Sequence, residues 1–207
     1  MSHEQLQNDS ATAIKTRLFL LHAACLFGFI YPPTWPLIWL AIISFSLRMF
    51  GVEGAYHRYF SHRAFQTGRI FQFILALLAT SSGQRGIISW AATHRKHHRY
   101  SDTDQDPHSP IVNSFWHAHL AWIWNDQHRN PEHKNARDLT KFPEFVFLNR
   151  HHYIATYGLI LALFLLGQFT DVLGAQQMGI DAIVWGFLVP TLATFHMTMS
   201  INSVFHF

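Results

Sequence analysis

The sequence predicts an all-α integral membrane protein, a four-helix bundle carrying a cytoplasmic helical cap rich in histidine. Three observations predict it. Only 13% of the 207 residues are charged, about half of the roughly 25% usual in soluble domains. The Lys and Arg residues all fall to one side of the uncharged runs. The 16 histidines outnumber the 15 Lys and Arg together and gather in spaced clusters. An aromatic content of 15% excludes a disordered chain, and a single Cys excludes a disulfide framework or a Cys-rich zinc module.

The first uncharged run covers thirty residues, from Leu18 to Leu47. Tyr31-Pro32-Pro33-Thr34-Trp35-Pro36 interrupts it, and those prolines cannot sit inside one continuous helix. Two helices joined by a tight turn are expected. Each reaches the ~20 residues of a spanning helix once its flanks are included. Tyr153–Thr170 and Ala182–Phe207 carry no charge either. The expected spans are therefore about 12–31, 35–55, 153–171 and 182–207, in one domain covering 1–207 with a cap over about 56–152.

Orientation follows from the basic residues. Lys15 and Arg17 precede the first span, and the other thirteen lie between Arg48 and Arg150. The turn 31–36 and the connection 171–181 contain none. By the positive-inside rule the cap faces the cytoplasm. No cleavable signal peptide is recognisable, and the short polar leader favours a bacterial inner membrane. A mean hydropathy of only +0.08 reflects the polar cap diluting the spans. The pI near 9.2 tracks this topology, so the basic residues point to anionic lipid or an acidic partner, not to nucleic acid.

The histidines carry the chemistry. His57 and His62 flank the end of the second span; five residues apart, they diverge by about 140° on a straight α-helix. They converge only if the helix ends or bends there. His94, His97 and His98 share one helix face, so all three imidazoles can meet, and imidazole suits Fe, Zn, Cu and Ni. Asn202 and His206 stand four apart near the end of the last span. The remaining histidines have plainer explanations. His3, His22, His128 and His133 receive no role. His151-His152 suits an interfacial anchor, His117 and His119 beside Trp116 suit packing, and His196 has no evident partner within its span.

Gly54-Ala55-Tyr56-His57-Arg58-Tyr59-Phe60-Ser61-His62-Arg63, Trp90, and the stretch His94-Arg95-Lys96-His97-His98 through Asp106-Pro107-His108 closely resemble the membrane-bound fatty acid desaturases of the acyl-CoA Δ9 (stearoyl-CoA desaturase-like) type. Asn202-Ser203-Val204-Phe205-His206 resembles that family's Asn-Ser-x-x-His motif. The resemblance covers most of the chain from residue 50 onward.

It implies two iron ions forming a di-iron centre, with His57, His62, His94, His97, His98 and His206 as ligands and Asn202 acting through water. Asp102, Asp104 and Asp106 would orient ligand imidazoles from outside the centre, as carboxylates commonly do. Trp90, Trp116, Trp122 and Trp124 are candidate walls of an acyl tunnel. The implied activity inserts a cis, Δ9-like double bond into a fatty acyl chain. It uses O2 and two electrons from a ferredoxin or cytochrome b5-type donor. A side chain alone cannot supply such an oxidant, and redox-inert zinc cannot either.

Two departures accompany the resemblance. The family carries a third His-x-x-His-His box beyond the Asn-Ser-x-x-His helix, and the sequence ends at Phe207. The expectation is a chain lacking its C-terminal ligands and poorly active alone. Acyl-CoA members also place Arg-Asp just before the second box, where Ala92-Thr93 stands here, and Asn125-Asp126-Gln127 replaces a later basic pair. An acyl-lipid or acyl-carrier thioester thus competes with acyl-CoA as donor. The rival functions are a di-iron hydroxylase or monooxygenase, and a non-catalytic metal-binding membrane protein.

Overall fold

The computed structural model describes residues 10–125, 133–174 and 179–205. Within them every regular element is helical. In chain order these are α1 (Ala11–Ile30), α2 (Trp35–Ser61), α3 (Arg69–Ser81), α4 (Ile87–Tyr100), α5 (Phe115–His119), α6 (Pro143–Arg150), α7 (Tyr153–Phe169) and α8 (Gly179–Ser203), with short 3-10 turns between some of them.

Three helices, α1, α2 and α8, are long and apolar enough to cross a membrane. The pair α6 and α7 passes the same test only together, and it is bent by 72°. The expected third span is thus the 17-residue α7, entered from α6 at a sharp corner. Phe19, Phe29, Trp35, Trp39, Tyr157 and Phe169 are exposed on these helices, which fits contact with lipid.

The prolines act where the sequence places them. Tyr31–Pro36 breaks the chain between α1 and α2, and Pro36 opens α2 in its first turn, where its missing N–H costs nothing. At this end the Thr34 hydroxyl donates to the Leu173 carbonyl at 2.6 Å, and Trp185 Nε1–H donates to the Tyr31 carbonyl at 2.7 Å. At the other end Arg17 donates to the Tyr153 hydroxyl at 2.5 Å, and the Lys15 ammonium lies 5.3 Å from the centre of the Trp124 ring. The two connections without Lys or Arg therefore meet at one end of the spans, and the first basic residues mark the other.

Two apolar cores hold the molecule. One joins Leu37, Leu163, Leu173, Ala182 and Phe187 between the spans. The other joins Tyr56, Phe60, Leu75, Ile87, Phe145 and Leu148, packing the end of α2 against α3, α4 and α6. This second core is the platform for the histidines. Gly86, at the start of α4, sits so close to α6 that an added Cβ would come within 2.6 Å of the Asn149 Cα.

Candidate metal centre

From Gly51 to Ser61, α2 is a π-helix. That winding resolves the His57–His62 problem. A π-helix closes its hydrogen bonds between residues five apart, and the His62 N–H donates to the His57 carbonyl at 3.0 Å. The two imidazoles thereby come to one side and meet edge to face, with ring centres 4.6 Å apart.

They meet α4. His57, His62, His94 and His98 each offer a nitrogen within 4.8 Å of the others. Nε2 of His94 lies 3.0 Å from Nε2 of His62 and 3.0 Å from Nε2 of His98. Two nitrogens bound to one metal at about 2.0–2.1 Å each would stand at about this separation. Burial and the neighbouring imidazoles push His94 down to about 2, so it is neutral with its lone pair available. Burial, His57 and Arg95 likewise lower His62.

His97 leaves this group, contrary to the expectation that all three α4 histidines converge. It is buried and turns to Asp106, donating from Nδ1 to Oδ1 at 2.9 Å. The His108 ring packs on it with centres 4.2 Å apart, and His97, Asp106 and His108 form a second, fully buried group of potential ligands. The cause is local. Asp106 accepts the N–H groups of Asp102 at 3.0 Å and His108 at 3.1 Å, closing the loop after α4 over the His97 ring. Burial pushes the Asp106 carboxyl up, but hydrogen bonds from His97, Asp102 and His108 outweigh it and hold it down to about 2.

The other expected residues are spread out. Asp102, at φ 59°, accepts from the Ser109 hydroxyl at 2.8 Å, and Asp104 is exposed. Of the three aspartates, only Asp106 is bonded to an imidazole. Trp90 stacks on Tyr56 and His94, with centres 5.0 and 4.9 Å apart. Trp122 lies against His108, Trp124 lies under Lys15, and Trp116 is exposed. Asn202 is half-buried near the end of α8, and His206 lies outside the described residues.

Several residues of the site carried no signal as ligands. Arg95 donates to the carbonyls of Phe60 at 2.7 Å and Ser61 at 2.9 Å, capping the π-helix, and pairs with Asp138 at 2.6 Å. Its position inside the His94–His98 box was the only available hint. Glu53, one turn before His57, approaches its Nδ1 at 3.3 Å. His196, expected to lack a partner, has two, as set out below.

The fold and site together define a helical protein with three helices long and apolar enough to cross a membrane and two histidine-rich groups able to hold metal. The family model for fatty acid desaturases matches residues 33–207, and the chain belongs to that family. It is 31% identical to a hex-5-enoyl-(acyl-carrier protein) acetylenase of Moorena producens (strain JHB), over 97% of this chain and 68% of the relative. It is 32% identical to an acyl-CoA C20 Delta5-desaturase of Anemone leveillei, over 90% of this chain and 57% of the relative. An sn-1 stearoyl-lipid 9-desaturase of Anabaena variabilis is 31% identical, over 93% and 68% respectively. The chain thus spans between just over half and about two thirds of the length of these relatives.

Proposed function

We propose that the chain is the membrane-embedded, ligand-bearing portion of an O2-dependent fatty acyl desaturase. The convergence of His57, His62, His94 and His98 beside a separate His97–Asp106–His108 group carries this reading. Two ligand groups suit two iron ions. All fifteen Lys and Arg on one side of the spans supports a multi-pass protein with the histidines facing the cytoplasm, as in a bacterial inner membrane. Iron held there would supply the oxidising power from O2 that an unactivated methylene requires.

The chain's own residues set up that chemistry. His94 stays neutral, Asp106 orients the His97 ring through Nδ1, and Arg95 holds the His57–His62 turn in place. The product is a cis double bond, Δ9-like, with electrons from a ferredoxin or cytochrome b5-type protein. Ala92 is buried and Thr93 spends its hydroxyl on the Ser89 carbonyl at 3.0 Å, so no cation is offered there to a CoA phosphate. That favours an acyl-lipid over acyl-CoA as donor, with the acyl-carrier thioester named for the Moorena relative as the second choice.

The test is product analysis after supplying membranes containing the protein, a reductant and O2 with isotope-labelled stearoyl-lipid, stearoyl-CoA or stearoyl-carrier protein. A 9,10-unsaturated product from the lipid is expected. Hydroxylated product alone, or no iron bound by the purified protein, would overturn the proposal.

A further inference from the structure

Three histidines outside both metal-binding groups lie in one line. His22 on α1, His196 on α8 and His119 on α5 are each half-buried. His22 Nε2 is 2.9 Å from His196 Nε2, His196 Nδ1 is 3.1 Å from His119 Nε2, and His119 Nδ1 is 2.9 Å from the Ser203 hydroxyl. At the far end His22 Nδ1 is 2.7 Å from the Leu18 carbonyl. This is not the arrangement of a metal site. His196 presents its two nitrogens to opposite neighbours, so the three lone pairs have no common point, unlike those of His57, His62, His94 and His98.

The protons of the line follow from its end. A carbonyl only accepts, so His22 carries its hydrogen on Nδ1 and presents a lone pair at Nε2. His196 must then donate from Nε2 and accept at Nδ1, and His119 must donate from Nε2. That leaves the His119 Nδ1 lone pair for the Ser203 hydroxyl. This hydroxyl has a second acceptor, the Met199 carbonyl at 2.9 Å, and one hydrogen for the two. When it turns to Met199, His119 Nδ1 is left without a donor unless it binds a proton itself.

We propose that His119, His196 and His22 form a one-proton store with its mouth at Ser203 and its closed end at Leu18. A proton taken up on His119 Nδ1 releases the Nε2 proton to His196 Nδ1. His196 in turn passes its Nε2 proton to His22 Nε2. The charge ends on His22 as an imidazolium bonded to Leu18, and it leaves by the reverse sequence because a carbonyl cannot relay it onward. Burial disfavours charge on His119, with the Met199 carbonyl acting against it. No Asp or Glu occurs in α1, α5 or Val189–Ser203 to trap the charge, and the nearest α1 cations, Lys15 and Arg17, are engaged with Trp124 and Tyr153.

The use of such a store rests on the proposed desaturase reading. Removing two hydrogens from an acyl chain while reducing O2 to two waters takes up two electrons from the donor protein and two protons. Ser203 is buried and adjoins Asn202, so the store ends inside the protein at the end of α8, beside where that uptake is expected.

The experiment is nitrogen-15 NMR of metal-free, histidine-labelled protein in lipid nanodiscs, which needs no turnover. Expected are hydrogen on Nδ1 of His22 and on Nε2 of His196 and His119, with nitrogen–nitrogen couplings across both imidazole contacts. On acidification His22 should be the first of the three to become an imidazolium. In His196→Gln the charge should stop at His119. His119 or His196 charging first in the unaltered protein, or no coupling between His22 and His196, would overturn the store whether or not the variant folds. Absence of desaturation in the separate product assay would instead refute the proposed activity.

Discussion

The N–H of His62 donates to the carbonyl of His57 at 3.0 Å, a bond across five residues that exists only because the end of α2 is wound as a π-helix. A regular α-helix would send one of these imidazoles away from His94. The winding sits on the apolar platform of Tyr56 and Phe60, and Arg95 caps its last carbonyls. Ligand geometry at this group is therefore a product of packing behind it.

His94 lies at the centre of the four-histidine group. His94→Ala should lower metal bound at this group at least tenfold, because it removes the central lone pair and the ring on which Trp90 stacks. Metal content of the purified variant by elemental analysis checks this, and unchanged content would refute it.

Asp106 accepts three hydrogen bonds at once. Asp106→Asn must present N–H groups to at least one backbone donor and loses the fixed His97 tautomer. An orienting carboxylate of this kind is typically worth about 10–100-fold in metal affinity. Metal titration of the variant should show a loss of that order confined to the His97–Asp106–His108 group.

Asp138 joins Arg95 and Arg63. Burial raises its carboxyl, but hydrogen bonds from Arg95 and Arg63 outweigh it and hold it below the usual range. The folded chain thus binds this proton more weakly than the unfolded chain. The stabilisation is fully present above the ordinary carboxylate value, about 4, and is lost as pH falls through the lower folded value. Asp138→Asn should reduce the melting temperature at pH 7 and differ less from the parent protein near pH 3. An equal difference at both pH values would contradict this.

Gly86→Ala places a methyl group against Asn149, whose backbone cannot swing aside as a side-chain tip could. Overpacking of this kind costs about 1–3 kcal/mol. It also pries α4, and with it His94, His97 and His98, from α6. Lower thermal stability together with weaker metal binding is expected, and no change in either would show that the two helices separate freely.

Arg48 is buried in α2 with neutral partners, donating to Thr191 Oγ1 at 2.7 Å and the Phe187 carbonyl at 3.1 Å, and its Nε has no hydrogen-bond partner among the described residues. Thr191 also donates to the Phe187 carbonyl at 2.5 Å, so removing Arg48 does not orphan it. Apolar replacements of buried charges are often neutral or stabilising by about 1–4 kcal/mol. Arg48→Met should hold or raise the melting temperature in detergent; a fall of several degrees would reverse the argument.

The sequence by itself determined the helical class, the long apolar helices α1, α2 and α8 and the residue types for metal chemistry, because charge-free runs, proline breaks and histidine spacing are local properties. Three of its expectations needed tertiary contacts to decide. The His57–His62 spacing became productive through π-winding that depends on packing against α3 and α4. His97 parted from His94 and His98 although all three share a helix face, because a loop ending in Asp106 reaches back to it. His22, His119 and His196 looked unremarkable one at a time, since 174 residues separate the first contact and 77 the second. Periodicity reports which side of a helix a residue occupies; which ring it meets across the interface is decided only when distant helices pack.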